Sequence, residues 1–337
     1  MSNLKTTYLG LELKNPIIVG ASNLASDATN LQAMEKAGAA AIVFKSLFEE
    51  QIQLENFHLD NQMGDYNERN AEMVKLFPDI NHAGPQEHLH KLRKAKESVS
   101  IPVIASLNAI HHESWLEYAK LIEDTGVDAI ELNFYSIPRD FNKDEKEIIS
   151  GQLAAVKDIK KSLNIPVSVK LSPYYTNILK FIAELDKAGV DGIVLFNRMF
   201  QPDVDLEKEE HFSPFNLSSE NENRIALRFA GLLYDRTKAK ICANSGIMSG
   251  KDVLKAIMVG ADTVQVVSTL YKHKISHISV MLDEMNEWMK SKNYNSLKDF
   301  RGKLSEKNTN DPFVYKRAQY IDLLLKSEDI LKTSSLR

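Results

Sequence analysis

Short apolar runs alternate along this chain with longer stretches in which apolar positions return every third or fourth residue. The short runs fall at 17–21, 41–45, 103–107, 129–133, 167–171, 192–196, 240–243 and 263–267 and are rich in β-branched residues. Each reads as a strand. The stretches between them, among them 31–37, 115–125, 145–163, 178–188, 223–234 and 253–259, read as amphipathic helices. A recurring phrase separates helix from strand: Ala-Gly-Ala at 37–39, Thr-Gly-Val-Asp at 125–128, Ala-Gly-Val-Asp at 188–191 and Val-Gly-Ala-Asp at 259–262. Its glycine ends the helix, and the strand follows at once. Eight strands alternating with helices predict a parallel sheet, and eight strands close it into a (β/α)₈ TIM barrel. An open doubly wound sheet is the competing architecture. It usually has fewer strands, and no G-x-G-x-x-G follows the first strand here.

Three segments break the rhythm, at 48–85, 135–143 and 198–221, each on the C-terminal side of a strand. That is the face on which such barrels carry their sites. A charged helical tail covers about 276–337, and no Gly/Ser- or Pro-rich linker marks off a second unit, so residues 1–337 are expected to form one domain.

Composition narrows the class. The 337 residues carry 42 basic and 46 acidic side chains, a net charge of −4, so neither nucleic acid nor an anionic membrane is an expected partner. No apolar run approaches the roughly 20 residues of a membrane span, and no charged-then-apolar leader opens the sequence. A cytoplasmic location is the expectation. The single cysteine, Cys242, excludes an internal disulfide and a cysteine-cluster metal site, and reads as a small buried hydrophobe. The histidines, including His82, His88, His90, His111 and His112, form no metal-binding spacing and read as surface residues; no metal is expected.

The chemistry-bearing signal lies near the end of the barrel pattern. Asn244-Ser245-Gly246-Ile247-Met248-Ser249-Gly250 follows the seventh strand, and Ser268-Thr269 follows the eighth. Paired turns of small residues after these strands are where such barrels hold a phosphate. Gly246 and Gly250 let the backbone come close, Ser245, Ser268 and Thr269 can donate, and the helix start after Gly250 offers N–H groups to an anion. Lys45 ends the second strand and Lys170 the fifth. Each is either a rim lysine in water or a charge aimed into the barrel mouth, and two of them beside a phosphate cradle favour the second reading. Asn133 and Asn197 end the fourth and sixth strands, with amides suited to a heterocycle or to their own loop backbone. Ser136, next to Tyr135 in the loop after the fourth strand, is a candidate base only if a relay takes its proton.

With these residues in place the chain resembles the dihydroorotate dehydrogenase family, in particular its soluble class 1 branch. The likeness runs from Leu9-Gly10-Leu11-Glu12-Leu13-Lys14-Asn15-Pro16 to Leu297-Lys298-Asp299-Phe300-Arg301-Gly302-Lys303-Leu304. It implies an FMN-binding barrel and a homodimer. Ser245, Gly246, Ser268 and Thr269 would hold the FMN phosphate, and Lys170 would lie against the flavin ring. Lys45 and Ser46 would reach flavin and substrate, Ala21 and Ser22 would lie under the ring, and Asn133 and Asn197 would sit between flavin and substrate.

The resemblance also shows where this chain departs. The class 1 run of asparagine, an apolar residue, serine, cysteine, proline and asparagine is here Asn133-Phe134-Tyr135-Ser136-Ile137-Pro138, which puts Ser136 in the place of the catalytic cysteine. Serine is the base in the membrane-associated branch. The family's substrate-binding run is replaced near Leu76–His82, and its glycine-rich loop after the sixth strand has become Leu217-Ser218-Ser219-Glu220-Asn221. The expected activity is therefore an FMN-dependent oxidation of dihydroorotate to orotate, a step of pyrimidine biosynthesis, with electrons leaving to a small soluble acceptor. The alternatives are an FMN enzyme for another pyrimidine or small unsaturated substrate, and a non-redox lyase or isomerase that uses the cradle for a phosphorylated substrate.

Overall fold

The computed structural model describes residues 2–53, 85–109, 111–134, 140–317 and 319–325. Eight parallel strands form the frame: β1 (Ile17–Val19), β2 (Ala41–Phe48), β3 (Val103–Asn108), β4 (Ala129–Asn133), β5 (Val167–Leu171), β6 (Gly192–Leu195), β7 (Lys240–Asn244) and β8 (Thr263–Val266). They pair in chain order and close as a barrel, with β8 returning to β1. All eight expected strands are present, within a few residues of their expected ends. Around them run α1 (Ala28–Lys36), α2 (Pro85–Ser98), α3 (His112–Glu123), α4 (Glu145–Ser162), α5 (Ile178–Lys187), α6 (Asn223–Leu233) and α7 (Gly250–Val259). Helix α2 is an addition to the sequence reading; its many charged residues dilute the apolar stripe.

The strands are buried on both faces, and side-chain alternation sorts the faces. Ile17, Val19, Ile42, Phe44, Ile130, Leu132, Val167 and Val169 face the helices in the main core. Ile18, Ala41, Val43, Ile104, Ala129, Val194 and Cys242 fill the lumen. Tyr8, Leu9 and Leu13 join that lumen cluster from an N-terminal hairpin, Thr6–Tyr8 with Leu11–Leu13, which closes the floor of the barrel. The opening run of the sequence is thus architectural: Leu9 and Gly10, both at positive φ, make its two-residue turn.

The Gly-x-Asp phrases build a second repeating device at the floor. Asp128, which precedes β4, accepts the N–H of Val103 at the start of β3 at 2.7 Å and takes Lys96 of α2 at 2.7 Å. Asp191 repeats this with Val167 N–H at 2.8 Å and Lys160 at 2.6 Å. Asp262 repeats it with Ile241 N–H at 3.0 Å and the guanidinium of Arg301. In the first phrase, which lacks the aspartate, Asn15 substitutes: its oxygen accepts Ile17 N–H at 2.9 Å and its amide donates to Gly38 O at 2.7 Å. Each latch satisfies the first donor of a strand that has no ladder partner there.

Two irregularities concern the mouth. An extra residue in β2 between Val43 and Ser46 shifts the pairing with β3. The segment expected as a loop at 198–221 contains a small exposed hairpin, Asp203–Asp205 with Glu210–Phe212. The tail crosses the opposite rim, where the N–H groups of Gly302 and Leu304 donate to Ile257 O and Met258 O at the end of α7 at 3.1 and 2.9 Å.

Candidate active site

Toward the C-terminal mouth the lumen positions carry polar and charged side chains. Above Ala129 on β4 come Glu131 and Asn133; above Ser168 on β5 comes Lys170; above Thr263 on β8 comes Gln265; all are buried. One connected cleft opens over Lys170 and Gln265. It is lined by Ala21, Lys170, Asn197, Ser245, Gly246 and Ser268, together with Gln265 and Asn244. The structure therefore brings six of the residues expected at the site to one cavity.

The turn expected after β7 is present, and the helix start behind it differs from the expectation. Ser245 and Gly246 sit at φ +72° and +67°, turning the chain sharply after β7. A Cβ on Gly246 would stand 2.4 Å from Asn223 N and 2.8 Å from Ser219 O. The N–H groups of Ser245 and Ile247 have no acceptor among the described residues. Helix α7, in contrast, does not offer its N-terminus. Asp252 accepts from Met248 N and Ser249 N at 3.1 Å each, and Glu284 accepts from Gly250 N at 2.6 Å. These carboxylates already neutralise the helix start, which corrects the expectation of free amides after Gly250. Thr269 also points away from the cleft, donating to Met248 O at 3.0 Å and so tying the two turns together. Ser218, which the sequence reading did not assign to the site, joins them from the loop after β6. Its hydroxyl accepts Gly246 N–H at 3.2 Å, and its own N–H donates to Ser268 Oγ at 3.0 Å.

The mouth is a chain of amides and hydroxyls. Asn197 Nδ2 donates to Asn133 Oδ1 at 2.6 Å, Asn108 Nδ2 donates to Asn133 O at 2.6 Å, and Ser46 and Ser106 share a hydrogen bond of 2.7 Å. The bulge in β2 turns Ser46 inward and leaves Phe44 outward, edge-on to His88. Lys45 is not in the cleft of Lys170: its charged neighbours are Lys91 and Glu87 of α2. Burial, and then Lys91, hold its pKa below the usual lysine value. Ser22 Oγ is buried with no hydrogen-bond partner, beside Ala21 in the cleft wall. A second cleft is bounded by Phe134, Gln152, Ser172, Tyr175 and Met199.

Ser136, Tyr135 and the segment at 76–82 lie outside the described residues. Cys242 is fully buried, and burial pushes its thiol up to about 12, in keeping with a small hydrophobe. His88 corrects the surface reading of the histidines: it is 2% exposed. No group of three metal-ligating side chains and no helix long and apolar enough to cross a membrane occurs among the described residues.

The family model for dihydroorotate dehydrogenase matches residues 3–289. The catalytic subunit of dihydroorotate dehydrogenase B (NAD(+)) from Methanocaldococcus jannaschii is 27% identical over 301 residues, covering 86% of this chain and 94% of its own length. The corresponding subunit from Thermoplasma volcanium is 27% identical over 314 residues, covering 90% and 98%. The chloroplastic dihydropyrimidine dehydrogenase (NADP(+)) of Arabidopsis thaliana is 22% identical over 327 residues, covering 89% and 76%.

Proposed function

Because this chain belongs to the dihydroorotate dehydrogenase family and is an oxidoreductase acting on CH–CH bonds, we propose that it binds FMN in the cleft over β5, β7 and β8. We propose that it uses the flavin to oxidise dihydroorotate or a closely related cyclic amide. The observation that carries this reading is the cavity joining an anion cradle at Ser245-Gly246 to a buried ammonium at Lys170. The residues fit the group. Unpaired N–H groups at Ser245 and Ile247 and the hydroxyl of Ser268 suit a phosphate. The unpartnered buried hydroxyl of Ser22 suits a polar ring edge. Bound there, the flavin would supply a two-electron acceptor for the substrate's hydride.

The chain's own groups do the remaining work in this reading. Lys170 places positive charge where negative charge grows on reduction. Asn133, braced by Asn108 and Asn197, holds its amide fixed toward the layer where substrate would lie. Ser136, Lys45 and Ser46 are assigned to the substrate side, with Ser136 taking the proton from the carbon adjacent to the one that gives up hydride. Electrons then pass to a soluble small-molecule acceptor, and the protein works as a homodimer.

A yellow protein with absorbance near ~450 nm after FMN incubation, bleached anaerobically by dihydroorotate, is the expected result. A colourless protein that takes up no FMN overturns the reading. Bound FMN bleached by another dihydropyrimidine and untouched by dihydroorotate moves the substrate, which the dihydropyrimidine dehydrogenase relative makes the specific second reading.

A further inference from the structure

Glu131 lies in the lumen on β4, 1% exposed, beneath the cleft. Its Oε2 accepts a 2.5 Å hydrogen bond from Gln265 Nε2, which reaches it from β8 on the opposite wall of the barrel. The other end of the same amide, Gln265 Oε1, accepts from Lys170 Nζ at 3.2 Å. Glu131 Oε1 stands 3.7 Å from that ammonium and has no hydrogen-bond partner. An ionised carboxylate only accepts and an ammonium only donates, so the two ends of Gln265 can be satisfied in one orientation alone. Gly20, just past β1, lies against the same side chain: a Cβ there would come within 3.3 Å of Gln265 Oε1 and 2.9 Å of Val267.

Lys170 thereby gives one N–H to Gln265 while lining the cleft. A buried ammonium needs a nearby counter-charge, and a buried carboxylate without its cation is equally costly. We propose that Glu131, acting through Gln265, is a positioning residue that aims the Lys170 ammonium into the cleft and supplies its counter-charge. The Asp and Arg latches at the floor hold the barrel together, whereas this strut spans its interior and ends at the candidate reaction centre. The proposal rests on the FMN reading only in the second of its two measurements.

The first measurement uses the full-length protein without added flavin. Urea denaturation compares Glu131→Gln, Lys170→Met and the double variant. Each single variant should be destabilised, and the double should lose less than the sum of the two, because it leaves no uncompensated charge. Additive losses overturn the proposal. The second measurement is the midpoint potential of bound FMN. Lys170→Met should lower it, since a positive charge beside the flavin stabilises the reduced form. Gln265→Leu should reproduce most of that fall, which loss of packing alone would not. Gln265→Leu keeps both charges, and so still tests the aim of the lysine if Glu131→Gln fails to fold. A wild-type potential in Gln265→Leu, against a lowered one in Lys170→Met, overturns the proposal. Absence of FMN binding in the wild type refutes the flavin assignment instead, and the denaturation measurement then decides the strut.

Discussion

Gly246 is the residue whose replacement the cradle should tolerate least. Its φ of +67° disfavours any side chain, and a methyl group there would press on backbone atoms of Asn223 and Ser219 that cannot rotate away. Gly246→Ala should therefore abolish FMN uptake, read as loss of visible absorbance in a protein whose circular dichroism is unchanged. Gly151 is the matched control. It lies in the exposed interior of α4 with nothing near its added Cβ, so Gly151→Ala should leave flavin binding intact. That variant should raise stability by about 0.5–1 kcal/mol in denaturant titration. Ser136 calls for a kinetic test. If it is the base, Ser136→Ala should slow flavin reduction by about 10²-fold or more in stopped-flow measurement, with FMN affinity unchanged. An unchanged rate would move the role to Tyr135 or to water.

Among the elements, β7 and β8 matter at both ends. Their C-terminal turns carry the cradle, and their floor is held by Asp262, whose carboxylate takes Ile241 N–H and the guanidinium of Arg301. Asp262→Ala strips a buried acceptor from a strand start and leaves Arg301 without its partner. A loss of about 1–3 kcal/mol in urea denaturation is expected, with the flavin spectrum retained because the change lies at the far end of the strand. A spectrum altered as much as the stability would show that floor and mouth are mechanically coupled. Strand β2 shows the opposite relation, a local irregularity that decides chemistry. Its bulge separates Ser46, which faces the lumen, from Lys45, whose charged neighbours lie on α2.

For the molecule as a whole, His88 predicts a pH dependence of folding. Burial on α2 against Phe44, with Lys45 and Lys91 adding to the effect, lowers its pKa from 6.5 to about 4. Between those values the unfolded chain takes up a proton that the folded chain refuses. The resulting stabilisation is complete above pH 6.5 and is lost as pH falls toward 4, by about 2–4 kcal/mol. Denaturation midpoints measured across that window should fall in the wild type and flatten in His88→Phe. A parallel fall in both would place the acid sensitivity elsewhere.

The order of strands and helices, the closure at eight, the turns after β7 and β8 and the family were legible in the sequence. All but the last are written in local signals: apolar periodicity, glycines between helix and strand, and small residues at strand ends; the family rests on the resemblance of the runs Leu9–Pro16 and Leu297–Leu304. The grouping of Lys170, Asn197, Ser245 and Ser268 was legible too, because the C-terminal ends of parallel barrel strands must meet at one mouth. That Lys45 has its charged neighbours on α2 was not legible, because a bulge changes which way a side chain points without changing the hydrophobic pattern around it. The helix start at Gly250 looked free because its carboxylate caps include Glu284, 34 residues away. Glu131 drew no notice as one acidic residue within an apolar run. Only closure of the barrel sets β4 opposite β8 and turns Glu131, Gln265 and Lys170 into one connected set, since that contact joins residues 134 positions apart.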